Sequence, residues 1–311
     1  MAAAAALTLG CGAACADAGA GAAGTGLDLG SPEPARGWIT VGFQALRSEG
    51  SLDGGGDDVP FLRDLTTDTR SLMLSIDYRL NQRWSLHASL PYIRKRSRND
   101  PGAHDPTALA QPRPASEFID DGSYHGTWQD WQLGATYHTE LRGFDLRPHA
   151  VLTYPAQDYV FFASAAAGQR LARLRLGFDA SRRLGASNFH YSAGYSYELV
   201  ERVLGYNLDK HHLRLSGRYD LSPALSASVF INGRRGHGGQ PSDFFADRPQ
   251  GNERWYQHDR LLRQNFGLAG VGATWQFDER WALSGSRSWM VWGDSIHDTD
   301  YAYELLVRRG F

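Results

Sequence analysis

The chain has 311 residues, 42% of them apolar, with 32 basic and 34 acidic side chains and a net charge of −2. That near balance excludes a strongly basic nucleic-acid binder and a highly charged disordered chain. The 35 glycines, nine tryptophans, 14 tyrosines and 14 phenylalanines, beside only three methionines, point to strands and away from an ordinary helical enzyme.

Residues 1–16, MAAAAALTLGCGAACA, are small and apolar, too short to span a bilayer, and end in the small-x-small triplet Ala14-Cys15-Ala16. They read as a signal peptide. The missing basic residues before the apolar run point to a start inside a longer leader. Cys11 and Cys15 both lie here, so the exported chain is expected to carry no thiol and no disulfide. Residues 17–36, rich in Gly, Ala, Ser and Pro, read as a flexible periplasmic leader, and residues 37–311 as one domain.

From Gly37 onward the apolar period is two. Leu72, Leu74, Ile76, Tyr78 and Leu80 alternate with Ser71, Met73, Ser75, Asp77 and Arg79, and in a strand the two sets point to opposite faces. After Asn81-Gln82-Arg83 the pattern resumes with Trp84, Leu86, Ala88, Leu90 and Tyr92. The same rhythm gives strands over 37–47, 69–80, 84–93, 128–139, 144–155 and 170–184, then 188–199, 208–221, 224–235, 262–277, 281–293 and 299–311. Arg287 falls on the apolar face of its strand, which a bulge near Gly285 would resolve.

Connections alternate in length. Residues 81–83, 140–143, 185–187, 222–223 and 278–280 are short, whereas 48–68, 94–127 and 236–261 are long and polar. Short turns at one end and long loops at the other are the habit of outer-membrane barrels. The strands are longer than the usual five or six residues, as a tilted bilayer crossing requires. The face opposite the apolar one repeatedly carries Arg, Asp, Glu and His. Together these predict an all-β fold: a single closed antiparallel transmembrane barrel of about 12 strands in a Gram-negative outer membrane.

Aromatic residues near strand ends, Trp38, Trp84, Trp275 and Trp281 among them, are expected at the membrane interfaces. The segments Leu80-Asn81-Gln82-Arg83-Trp84 and Phe277-Asp278-Glu279-Arg280-Trp281 share one turn design. Phe311, preceded at alternate places by Val307, Leu305, Tyr303 and Tyr301, resembles the signal read by the barrel-assembly machinery. Arg309 is close enough to the strand end for its head to snorkel into water. Outer-membrane lipids, including lipopolysaccharide, are the expected surroundings.

The expected lumen face carries Asp77, Arg79, His87, Asp130, Arg147, His149, Arg173, Arg175, Asp179, His190, Glu198, Arg214 and Arg218, together with His138, His212 and Glu304. Two readings stand: arginines that favour anions or carboxylated aromatics, or salt bridges that fill the interior. His211 and His212 are adjacent on a strand and cannot jointly chelate, and no CxxC or HExxH spacing occurs, so neither a metal site nor a cofactor is expected. A hydrolase would need a Ser–His pair with an orienting group; Ser187 and His190 fall at a periplasmic turn and no GxSxG elbow is present, so no enzyme is expected. The apolar run Tyr159 to Ala167 fits an inward constriction, a greasy access path or rim packing equally well.

Trp84-Ser85-Leu86-His87-Ala88-Ser89-Leu90-Pro91-Tyr92 resembles a strand of the "MetA-pathway of phenol degradation" family of outer-membrane transport proteins, which ends in Leu-Pro-Tyr before a long loop. That family's next strand starts Gly-x-Gly-Asp-Leu-x-Leu-Gly. Here Asp130, Leu133 and Gly134 are retained, both glycines are replaced, and Trp131 stands for the first leucine. Pro148 to Tyr154-Pro155 resembles the strand after it, so the likeness covers residues 70–155. The resemblance implies a barrel that passes aromatic or other apolar compounds. Twelve strands make a narrow barrel, which disfavours an open porin and favours a gated or lateral route. Energy coupling is not expected, because residues 17–36 are too short for a plug domain. The alternatives are a lipid-modifying hydrolase, or a non-conducting structural or adhesive barrel using residues 94–127 and 236–261.

Overall fold

The computed structural model describes residues 36–99, 104–242 and 252–311. The expected signal peptide, and the leader up to residue 35, lie outside them.

Twelve strands form the wall. They are β1 (Gly37–Glu49), β2 (Thr66–Arg79), β3 (Trp84–Arg98), β4 in three pieces (His125–Trp128, Asp130–Tyr137, Thr139–Leu141), β5 (Phe144–Pro155) and β6 (Arg173–Arg183). The circuit continues through β7 (Phe189–Val200), β8 (Lys210–Asp220), β9 (Leu225–Gly236), β10 (Asn265–Gln276), β11 (Trp281–Asp294) and β12 (Thr299–Gly310). Each pairs antiparallel with its neighbours, and β1 pairs with β12 from Trp38↔Gly310 to Ser48↔Thr299, which closes the ring. Closure leaves no free edge, so backbone groups are satisfied without water. Among the described residues no helix is long and apolar enough to cross a membrane; the crossing is made by strands.

The period-two alternation decides which side faces out. Ile39, Val41, Phe43, Leu72, Leu74 and Ile76 are each between 42% and 48% exposed, while Thr40, Gln44 and Ser71 between them are buried. An apolar exterior of this extent is the lipid-facing belt of a membrane barrel.

Asn81 and Asp278 explain the shared turn design. The Asn81 side-chain oxygen accepts from the Arg83 and Trp84 backbone N–H groups at 2.8 and 3.0 Å. Asp278 does the same for Arg280 and Trp281 at 2.6 and 2.8 Å. An Asx side chain thus folds the turn onto itself and releases Trp84 and Trp281 into the returning strands.

Two expectations are corrected. The ladder runs unbroken through Ala273↔Gly285 and Val271↔Arg287, so no bulge lies near Gly285. The register shifts instead where Gly267↔Trp292 gives way to Leu268↔Met290, leaving Val291 as the extra residue. Arg287 therefore stays on the outer face, where its guanidinium lies over the Tyr303 ring at 5.5 Å. Trp38 is the second correction. It belongs to the inward set of β1, is buried, and is covered by the Arg308 guanidinium 4.4 Å from its ring. Trp84 and Trp275 do face outward, and Trp281 stacks with Phe277 at 6.4 Å.

Wall pairing is irregular at a further place. Between β3 and β4 the ladder stops at Ser89↔Gln132 and resumes at Tyr92↔Trp128. Pro91 has no N–H to offer there, and its carbonyl accepts from Gln129 N–H at 3.0 Å. Gln129 and Asp130, consecutive residues, are both buried.

Candidate functional site

One side of the lumen is ionic. Along β2 to β8, Asp77 pairs with His87 at 2.8 Å, Asp130 with Arg173 at 2.6 Å and Glu198 with Arg175 at 2.6 Å. Asp179 lies 3.3 Å from His149 and 3.9 Å from Arg214; Asp220 lies 3.0 Å from His190 and 3.1 Å from Arg218. His212 Nε2 is 3.7 Å from Glu198, Arg147 lies 3.9 Å from Asp145, and His138 meets Ser85 at 2.9 Å. Arg79 lies on the same face of β2 as Asp77. Six arginines (Arg79, Arg147, Arg173, Arg175, Arg214 and Arg218) are thus set among six carboxylates (Asp77, Asp130, Asp145, Asp179, Glu198 and Asp220), with Lys95 and Lys210 also buried on the inward face. Most of these arginines are engaged by carboxylates, and cations are in slight excess.

From β9 round to β1 the wall carries fewer ions: Arg234, Arg308 and Glu304 face inward among Phe230, Phe266, Leu268, Ala302, Leu306 and Leu46, with hydroxyls such as Ser284, Ser288 and Thr40 between them, and Ile93 and Ser71 adjoin them on β3 and β2. Phe230 and Leu306 pack with Met73 in one cluster. Gly270 makes room for it, since a Cβ there would collide with the Phe230 ring. Glu304 lies on this side, between Gln44 and Ser286 in the ladder. Barrel closure is what brings Met73, Phe230 and Leu306, from three strands, together.

The run Tyr159 to Ala167 folds inward. Ala167 joins a cluster with Leu46, Ile93, Phe266, Leu268 and Ala302, residues of β1, β3, β10 and β12. Phe161 and Phe162 pack with Leu109, Trp255 and Tyr256 of two other loops. Tethers hold the segment. The Tyr159 hydroxyl donates to Asp130 at 2.7 Å and accepts from Arg170 N–H at 2.9 Å, and Gln129 donates to the Ala167 carbonyl at 2.7 Å. Lys210 donates to Gln169 at 3.3 Å, and Arg260 donates to the carbonyls of Gln169 and Arg170, both at 2.9 Å. Three loops of the extracellular end thus form an apolar plug. At the opposite end a polar cleft is lined by Arg218, Asp220, Ser226, Thr274 and Gln276.

Inside the plug, burial works against ionisation of Asp120, yet the His104 ring and the N–H groups of Ser164 and Ala165 hold its carboxyl below the ordinary value. Burial pushes the Asp259 carboxyl up to about 7. These loop residues have no periodic pattern, and sequence reasoning passed over them.

Ser187 and His190 do not form a catalytic pair. The Ser187 hydroxyl donates to the Leu184 carbonyl at 2.6 Å within its turn, while His190 faces Asp220. His211 and His212 diverge as expected, His211 meeting the Tyr195 hydroxyl at 2.8 Å and His212 facing Glu198. Phe311 stacks on Tyr78 with ring centroids 6.5 Å apart, and the Arg309 guanidinium lies 5.5 Å from the Trp281 ring. At the extracellular rim Arg70, Arg94 and Arg96 surround the Tyr124 ring at 4.9, 5.5 and 4.4 Å, and Arg96 and Arg98 share Asp68.

No family model matches the chain, and no curated protein matches it in sequence. Among solved structures, an outer membrane channel from Pseudomonas putida F1 is similar, with a TM-score of 0.67 at 16% identity, covering 89% of this chain and 96% of that one. The β domain of the Bordetella autotransporter BrkA gives 0.50 at 12% identity, covering 89% and 100%. At these identities the likeness is one of fold, and with the apolar belt it identifies the chain as an outer-membrane β-barrel of a Gram-negative bacterium.

Proposed function

We propose that this barrel is a passive outer-membrane channel for small solutes, with a preference for aromatic or other apolar compounds. One observation carries the reading: an apolar cluster built around Met73, Phe230 and Leu306 shares the lumen with a wall of ion pairs. A ring with one polar group finds an apolar surface on one side and hydrogen-bond partners on the other. The resemblance of residues 70–155 to the phenol-degradation transport family supports this, as does the description of the Pseudomonas putida neighbour as a channel. The plug blocks a straight axial path, so a solute reaches the cluster when loops move or through the wall irregularity at Pro91. Lipopolysaccharide phosphates are the proposed partners of Arg70, Arg94, Arg96 and Arg98 at the outer rim, and the barrel-assembly machinery the proposed partner of the Phe311 strand.

Crystals soaked in 4-bromophenol test the site. An anomalous peak against Met73, Phe230 or Leu306 is the expected result. Bromine confined to the detergent belt contradicts it.

A further inference from the structure

His104 belongs to the β3–β4 connection, and His258 and Asp259 to a short helix, His258–Leu261, in the β9–β10 connection. Their side chains meet inside the plug although 154 residues separate the two histidines. All three are buried. The His258 Nδ1 lies 2.7 Å from the Trp255 carbonyl, which only accepts, so Nδ1 carries the proton and the neutral ring presents a lone pair at Nε2. His104 Nδ1 lies 2.7 Å from the Asp120 carboxylate, which fixes that ring in the same sense.

The two Nε2 atoms are 3.2 Å apart, and Asp259 Oδ1 is 3.2 Å from His258 Nε2. One ligand atom from each residue falls within a 4.8 Å group. A tetrahedral ion with bonds of about 2.0–2.1 Å holds its donors about 3.3 Å apart. A carboxylate or carbonyl on the far ring nitrogen is how metal-bound imidazoles are oriented. A separate observation points the same way: Asp259 Oδ2 is buried without a hydrogen-bond partner among the described residues. A buried carboxylate oxygen left unsatisfied beside two imidazoles is costly, and a cation removes the cost.

We infer that His104, His258 and Asp259 bind one divalent transition-metal ion, zinc fitting the two-nitrogen, one-oxygen donor set, and that the ion staples the β3–β4 loop to the β9–β10 loop. A fourth position is left for water or a further donor. The absence of any CxxC or HExxH spacing hides the site from sequence reading, because its ligands come from two loops.

The test uses the full chain in detergent, freed of metal with a chelator, with folding checked by heat-modifiable migration. Zinc titrated calorimetrically at neutral pH is expected to bind at one ion per chain. Cobalt bound in its place should show the intense visible bands of a tetrahedral site. His104→Ala and His258→Ala should each weaken binding at least about 100-fold, and Asp120→Asn about 10–100-fold through loss of ring orientation. His211→Ala, on the outer face, should change nothing. Zinc should also slow protease cleavage of the two loops in the wild type and not in His258→Ala. Two results overturn the site: no stoichiometric binding to folded wild-type chain, as a proton shared between the two rings would give, or binding that survives the double variant His104→Ala/His258→Ala. Binding without altered cleavage overturns the staple.

Discussion

Arg173 donates to the Asp130 carboxylate at 2.6 Å across the intervening strand β5, and both side chains are almost wholly buried. The other Asp130 oxygen accepts from the Tyr159 hydroxyl at 2.7 Å. One carboxylate therefore joins the barrel wall to the plug.

Asp130→Asn removes the carboxylate charge that buried Arg173 faces at 2.6 Å, a change that costs up to about 3–5 kcal/mol. Tyr159→Phe keeps the ion pair and loses two hydrogen bonds, to Asp130 and from Arg170 N–H, about 2 kcal/mol. Denaturant unfolding in detergent should rank the two variants in that order. Both should raise single-channel conductance in planar bilayers, because both release the segment that fills the mouth. Unchanged conductance in both would show that other contacts hold the plug.

The turn residues give a test of how strand returns are set. Asn81→Ala and Asp278→Ala each remove an acceptor used by two backbone N–H groups. Each should cost about 1 kcal/mol in unfolding experiments. Asn81→Asp should cost much less, since the acceptor oxygen remains.

Arg287 sits on the lipid face between Gly285 and Trp289, partnered by the Tyr303 ring. A cation within the apolar belt costs up to about 2–4 kcal/mol at the bilayer centre and less near the interfaces. Arg287→Leu should therefore stabilise the barrel by about 1–3 kcal/mol in lipid bilayers. A loss of stability would mean that the Tyr303 contact, or a lipid phosphate, outweighs the desolvation.

The cationic rim makes a further expectation. Arg94→Glu combined with Arg96→Glu reverses charge around Tyr124 without touching the lumen. Lipopolysaccharide retained through purification should fall several-fold, measured by phosphate or fatty-acid analysis. Equal retention would remove the rim as its binding surface.

Much of the wall was legible in the sequence because a strand must alternate wherever its two sides meet different solvents. Leu72 to Leu80 against Ser71 to Arg79 is enough to place both sets. The limits of that rule are equally specific. Residue type alone puts Trp38 at the interface, but its parity with Thr40 and Gln44 puts it inside. A bulge near Gly285 would turn Arg287 inward, yet a neighbouring ring accommodates it where it stands. Tyr159 to Ala167 has no period, so its direction follows from tertiary partners such as Asp130 and Leu268. His104 and His258 meet only because two loops descend into the same mouth. The meeting of Met73, Phe230 and Leu306 is a property of closure, not of any one strand.

Solute uptake is the most direct measurement of the central claim. Proteoliposomes containing the barrel should take up phenol, benzoate and a neutral sugar at initial rates compared with protein-free vesicles. Phenol should enter faster than in the control, the sugar at the control rate, and charge reversal at Arg173 and Arg175 should leave phenol uptake intact if the folded barrel is retained. If neither aromatic compound enters faster than into protein-free vesicles, and planar bilayers show no conductance, the channel assignment is wrong.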